Sequence, residues 1–317
     1  MRQMRMPFTQ TKRDKSRKHM RVKAFFSDPR AIAGMTIFAL LAMIGLLAPI
    51  IAPYDPNATN FMPFQPPSYH HLFGTTSTGE DVFSQFVWGT RNSMAVGLGA
   101  SLISTVLAVA IGMYPAYRGG WLDDIMSSFT NMFLVIPGLP LMIVVAAYVP
   151  ATGLLVITLV IALTSWAGRA RVLRAQTMTL ATRDFVVAAR LSGASHWRIL
   201  YLEILPNMLS LFVVSMMYGA LGAVLAEAGL EFLGLGNVNA VTWGTMLYWS
   251  NNGGALLNGA WWWFVPGGLG IALLGTSLAL MNFAVDMVSN PRLQVPRKAK
   301  GRRVPQPTLQ EQPEANG

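Results

Sequence analysis

The 317-residue sequence contains no cysteine, which excludes a disulfide framework, a thiolate metal site and a cysteine nucleophile. Charge is also scarce. Asp, Glu, Lys and Arg make up 12% of the residues, against about 25% in a typical soluble domain. Hydrophobic residues reach 53% and mean hydropathy is +0.42. A chain so poor in charge reads as an integral membrane protein. Acidic residues are the rarer sign, 14 against 24 Lys and Arg, for a net charge of +10. In a soluble protein that excess would suggest nucleic acid, but here its distribution matters more than its size. No G-x-x-x-x-G-K-[ST] run occurs, so the chain has no P-loop phosphate cradle. No Ser/His/Asp or paired-carboxylate set falls on one membrane face, so no catalytic residue is expected.

What is abundant is long apolar runs. The first, 31–52, has 22 uncharged residues and spans about 33 Å as a helix, enough for the hydrocarbon core. It exceeds the apolar region of about 7–15 residues in a secretory signal, so it reads as a retained anchor. Further runs at roughly 92–116, 125–148, 152–168, 207–228 and 265–287 bring the expectation to six spans, with both termini on one side.

The basic residues orient them. Segments 1–30, 117–124, 168–206 and 289–317 hold ten, one, six and six Lys/Arg, which is 23 of the 24, and only Arg91 falls on the other side. The N- and C-termini are therefore expected in the cytoplasm. The organisation read from the sequence is a basic cytoplasmic tail (1–30), a first span (31–52) and an extracytoplasmic segment (53–91) with an amphipathic piece over 80–88. A five-span core (92–288) with a cytoplasmic loop (168–206) and a cytoplasmic tail (289–317) complete it. Gly97, Gly99, Gly112 and Pro115 in the second span, Pro137, Gly138 and Pro140 in the third, and Pro266, Gly267, Gly268 and Gly270 in the sixth are expected to serve close helix packing, with hinges as the alternative.

The polar stretch 182–207 is the chain's main interruption. Its residues predict a short helix with small Ala188 and Ala189 between Asp184 and Arg190, ended by Gly193 in a left-handed conformation. Ser195 is placed to cap a second short helix, and Pro206 to start the next span. Such a knob is suited to enter a partner's groove, although an ordinary helical loop reads the same way.

These residues resemble the cytoplasmic signature of permease subunits in binding-protein-dependent ABC importers, E-A-A, three residues, G, nine residues, I-x-L-P. Ala188, Ala189, Gly193, Leu205 and Pro206 stand at that spacing, with Val187 in place of the Glu and Glu203 in place of the Ile. Three further blocks are similar to the second subunit of the dipeptide/oligopeptide/nickel permease pair. The run 73–85, F-G-T-T-S-T-G-E-D-V-F-S-Q, resembles G-T-D-x-x-G-R-D-V-x-S-R, with Thr76 for Asp, Glu80 for Arg and Gln85 for Arg. The run 226–236, A-E-A-G-L-E-F-L-G-L-G, followed by Trp243 and Gly244, resembles E-A-x-L-S-F-L-G-L-G and W-G. Asn282, Asp286 and N-P-R at 290–292 resemble N-x-x-x-D and D-P-R.

The resemblance implies an all-α polytopic membrane protein of the type I importer permease (MetI-like) fold, with six transmembrane helices, in the cytoplasmic membrane of a prokaryote. It also implies a heterodimer with a homologous permease, two ATPase subunits docked on the loop that holds Asp184, Ala188, Ala189, Arg190, Gly193, Leu205 and Pro206, and an extracytoplasmic substrate-binding protein. ATP and Mg would sit on the ATPases, and no cofactor is expected in this chain. The cargo implied is short peptides, with oligosaccharides or nickel chelates as alternatives. Of other classes, an ion-coupled carrier would need ionisable ligands near the midplane that the sequence barely offers, and a non-transporting scaffold remains an alternative.

Outside the loop, Glu227 and Glu231 lie one turn apart at the outer end of the fifth span. They read as a structural cap or, together with Trp243, as a contact for substrate or binding protein. His70-His71 read as loop residues, not a metal site, and His196 as a surface or interface residue. Trp261, Trp262, Trp263 and Phe264 read as an interfacial aromatic belt, and Asp286 is expected to pair with Arg292 or a loop arginine.

Overall fold

The computed structural model describes residues 28–149 and 153–289. Among these residues there is no strand, only one isolated bridge between Thr75 and Asp81. Residues 1–27 and 290–317 of the two basic tails, with Arg292, lie outside the described residues, as does the side chain of Asp286, and so does the ion pair expected of it.

Helix α1 (Pro29–Leu46) opens on Asp28, whose carboxylate accepts the Arg30 N–H at 2.8 Å, with Pro29 in the first turn where its missing N–H costs nothing. Leu47 breaks it from α2 (Ala48–Ile51). A loop over 52–81 leads to α3 (Val82–Ala108), a π-helical stretch (Val109–Met113) and α4 (Tyr114–Arg118). Together these form one 37-residue rod, about 55 Å long at 1.5 Å per residue. It begins ten residues before the run predicted at 92. Asp81 caps it by accepting from Ser84 N at 2.8 Å and Ser84 Oγ at 2.7 Å, so the amphipathic piece over 80–88 is its first turns. A lone Arg91 does not end a helix longer than the bilayer is thick. The π stretch sits just before Pro115, which has no N–H for the Ile111 carbonyl and whose ring would crowd it. Widening the turn relieves both.

Next come α5 (Trp121–Val135) and α6 (Gly138–Tyr148), then α7 (Leu154–Thr164) and α8 (Ala167–Ala181). The third and fourth runs are thus broken helices, bent by 89° and 45°. At the first break Ile136 is held extended, ψ 125°, ahead of Pro137. The stretch 182–208 contains α9 (Asp184–Leu191), α10 (His196–Arg198), a second π stretch (Ile199–Ile204) and α11 (Leu205–Asn207). The chain finishes with α12 (Leu209–Phe232), α13 (Trp243–Asn252) and α14 (Trp261–Ser289). Four helices are long and apolar enough to cross a membrane, and six spans result if each bent pair counts as one.

The rod α3 is the centre of the bundle and packs against α1, α7, α12 and α14. Large apolar side chains face outward, Leu46, Val135 and Leu155 among them, as expected where lipid is the neighbour. Small residues set the close approaches. A Cβ at Gly97 would strike Val224, at Gly112 the Ala170 backbone, at Gly34 the Ser277 carbonyl at 2.7 Å and at Gly270 the Trp243 ring at 2.5 Å, whereas Gly138 and Gly268 face open space. Close packing therefore accounts for Gly97, Gly112 and Gly270, and not for Gly138 or Gly268.

Candidate functional site

The polar stretch folds as its residues predict. Arg183 precedes α9 in an extended conformation and Asp184 occupies the first turn. The helix ends in a two-bond lock: Gly193 N donates to Arg190 O at 3.0 Å and Ala194 N to Ala189 O at 3.1 Å, with Gly193 at φ +75°. Ser195 then caps α10, its Oγ accepting from Arg198 N at 3.3 Å. Pro206 sits in the first turn of α11, and the π stretch just before it repeats the device at Pro115.

One face of this knob is anchored. Val186, Ile199, Leu200, Ile204 and Met208 are buried against Met113, Ala170 and Leu173, and Leu205 packs beside them. Trp197 stacks between Tyr114 (4.8 Å, 13°) and Tyr201 (5.8 Å, 10°). The Arg190 guanidinium lies 4.9 Å over the Tyr117 ring, and His196 meets the same ring edge-on at 5.8 Å. The other face is bare. Asp184, Ala188, Ser192, Gly193 and Pro206 are exposed and Ala189 is half-buried, and nothing lies within 4 Å of a Cβ built on Gly193. The seven loop residues singled out in the sequence are therefore brought into one protrusion, of which Leu205 and Arg190 hold the base.

The opposite end of the bundle departs from expectation. Glu227, Glu231 and Trp243 are at most 1% exposed, so none offers surface to an external partner, and that expectation is corrected. Ser93 Oγ donates to Glu227 Oε1 at 3.0 Å, and Thr242 Oγ1 donates to Glu231 Oε2. Thr242 also caps α13 in a reciprocal box with Thr245. The carboxylates thus tie α12 to α3 and to the start of α13, which is the cap alternative. Close approach of the chain buries them: a Cβ on Gly244 would stand 2.7 Å from Glu231 Oε2.

The aromatic run is likewise split. Trp261 is 57% exposed, but Trp263 is buried against Phe64 and Trp262 Nε1 donates to Thr75 O at 3.3 Å, so most of the expected belt is packing under the 52–81 loop. In that loop His71 Nδ1 meets Asp81 Oδ1 at 2.9 Å between Tyr54 and Phe61. Among the described residues no three His, Cys, Asp or Glu side chains converge as a metal site.

Two contacts were not foreseen. Arg174 of α8 grips Asp123 of α5, where the sequence offered only two charges 51 positions apart. Arg169, counted with the loop, turns into the bundle and donates to Ser104 and to Ser165 O and Oγ at 3.1 Å, beside Gly219, whose missing side chain makes the room. Its sequence signal was the polarity of Ser101 and Ser104 inside an apolar run.

Comparison with known proteins adds to this geometry. The sequence matches the family model described as the binding-protein-dependent transport system inner membrane component over residues 72–289. A model described as the N-terminal TM domain of oligopeptide transport permease C matches over 18–67. The chain is 33% identical over 224 residues to the oligopeptide transport system permease protein OppC of Bacillus subtilis strain 168, covering 70% of this chain and 73% of that protein. It is 32% identical over 226 residues to the OppC of Mycobacterium tuberculosis strain H37Rv, covering 70% and 77%.

Proposed function

The chain belongs to the family of binding-protein-dependent transport system inner membrane components, and from that premise we propose that it is one half of the pathway by which an ATP-driven importer carries short peptides across the cytoplasmic membrane of a prokaryote. The observation that carries the cargo class is the likeness, over 70% of the chain, to proteins named for oligopeptide transport. Six spans with the 182–208 knob and both termini in the cytoplasm, and the 52–81 and 233–260 loops outside, satisfy the charge distribution.

The partners in this reading are a homologous permease, two ATPase subunits and an extracytoplasmic binding protein. The knob is the contact for an ATPase. Its exposed tip carries small Ala188, Ser192 and Gly193 around Leu191, which is 84% exposed, a compact apolar end suited to a groove, and its base is locked to the rod and to α8. A push on the knob therefore reaches the spans as movement of packed helices. Asp184 stands exposed one turn before Val187, where the family signature has Glu, and supplies the acidic contact.

The test is ATP-driven uptake of a labelled tripeptide by the full transporter in proteoliposomes. Gly193→Trp meets open space but puts a side chain at φ +75°, a strain of about 1–2 kcal/mol, so uptake is compared at equal amounts of membrane-inserted protein. Uptake is expected to fall at least tenfold while ATP hydrolysis persists. Undiminished, peptide-stimulated uptake by that variant would defeat the docking role.

A further inference from the structure

At the end of the bundle away from the knob, a cavity of about 350 Å³ opens between the 54–57 turn and the 238–241 loop, and a larger one of about 770 Å³ adjoins it along Asn57 and residues 239–241. Both walls are tied to helices. Gln85 Nε2 donates to Pro56 O at 3.2 Å, Trp249 Nε1 to Val238 O at 2.8 Å and Asn92 Nδ2 to Val241 O at 2.7 Å. The chain's own hydrogen bonds therefore fix both walls of the cleft.

Its charge is one-sided. The carboxylates at this end are Asp55, Glu80, Asp81, Glu227 and Glu231. The last three are buried and committed to His71, Ser93 and Thr242. The two that keep solvent contact, Glu80 and Asp55, line the smaller and the larger cavity respectively. Among the described residues the one Lys or Arg at this end, Arg91, lines neither cavity and packs on Trp88.

Glu80 is aimed as well as present. Thr76 Oγ1 and Thr78 Oγ1 both donate to its Oε2, at 2.6 and 2.7 Å, which leaves Oε1 to accept. Gln85, nine-tenths buried, spends its amide nitrogen on Pro56 O, and among the described residues its carbonyl oxygen has no hydrogen-bond partner. Two acceptors that lack donors, one of them charged, beside the Trp249 ring in a walled cavity, are what an ammonium group with three N–H donors satisfies. The importer motif that residues 73–85 resemble has Asp and Arg where this chain has Thr76 and Glu80, so a cation is replaced here by a carboxylate.

We propose that this cavity is a binding site for an alkylammonium group, accepted by Glu80 and Gln85. The inference rests on the permease reading above for its place on the outer face. There the ammonium could come from the amino end of a peptide or from a lysine side chain of a docking protein.

Equilibrium binding to the full transporter, without nucleotide, in nanodiscs of phosphatidylglycerol, which carries no amine, separates the two sources. The probes are trialanine, N-acetyl-trialanine and N-acetyl-lysine amide. Binding of trialanine that falls at least tenfold on N-acetylation and in Glu80→Gln identifies a peptide's amino end. The same Glu80 dependence seen with N-acetyl-lysine amide alone identifies a protein side chain. Either result supports the site, and Glu80→Arg is expected to abolish the binding concerned. If Glu80→Gln and Glu80→Ala leave every probe within twofold of the unmodified protein, or if no probe binds, the proposal is overturned. Because no ATP turnover is measured, this result is independent of the Gly193 uptake assay.

Discussion

Arg174 holds Asp123 by two parallel bonds, Nε to Oδ1 at 2.8 Å and Nη2 to Oδ2 at 2.7 Å, and so joins α8 to the first turn of α5. The pair is partly sheltered, with the two side chains 30% and 11% exposed. A charge-assisted, two-pronged bond of this kind contributes about 1.5–3 kcal/mol, less where solvent reaches it. Asp123→Asn is expected to lower the melting temperature of the detergent-solubilised protein, and Arg174→Ala to lower it further, since that variant leaves the sheltered carboxylate alone. A double variant no worse than Arg174→Ala would confirm that the two act as a unit.

Gly97 of α3 packs on Val224 of α12 with no space for a side chain. Gly97→Leu is expected to force the two helices apart and cost about 1–3 kcal/mol or more. A compensating Val224→Ala in the same chain should recover part of the loss, read as yield of monodisperse protein after extraction.

The Thr242 hydroxyl serves two masters, capping α13 and donating to Glu231. Thr242→Val keeps the shape and removes both bonds, with an expected cost of about 1–3 kcal/mol. Hydrogen exchange should quicken over 233–246 and stay unchanged in the knob. Uniform acceleration across the chain would show that the cap is not local.

Gly219→Ala places a methyl where the Arg169 guanidinium lies. Arg169 would lose its serine partners, and the bend at residues 165–166 would lose its brace. The variant is expected to be less stable than Gly222→Ala, which meets open space three residues further on, and Arg169→Met should partly relieve it.

Much of this was legible in the sequence, for reasons tied to particular residues. The knob could be read because its determinants are local: Gly193, Ser195 and Pro206 each act on backbone within four residues. The apolar run places the start of α3 at 92, after the charge of Arg91, whereas the cap at Asp81 sets it. The burial of Glu227 and Glu231 was hidden because it depends on Ser93 and on the absence of a side chain at Gly244, neither of which a run of apolar letters encodes. Glu80 was visible as a departure from a motif, but its meaning depends on a cavity whose far wall comes from residues 238–241.

The π stretch Val109–Met113 also decides which way the end of the rod looks. One surplus residue in a helix turns everything beyond it by about 100° relative to an uninterrupted α-helix. Upstream, the rod shows its small residues to the neighbouring spans; downstream, the turned tail shows Tyr114 to Trp197 and Tyr117 to Arg190 and His196. A single helix thus addresses two audiences. Deleting one residue between 109 and 113 would straighten the hydrogen bonding and swing both tyrosines away from the knob, leaving the span intact and its tail pointing at nothing.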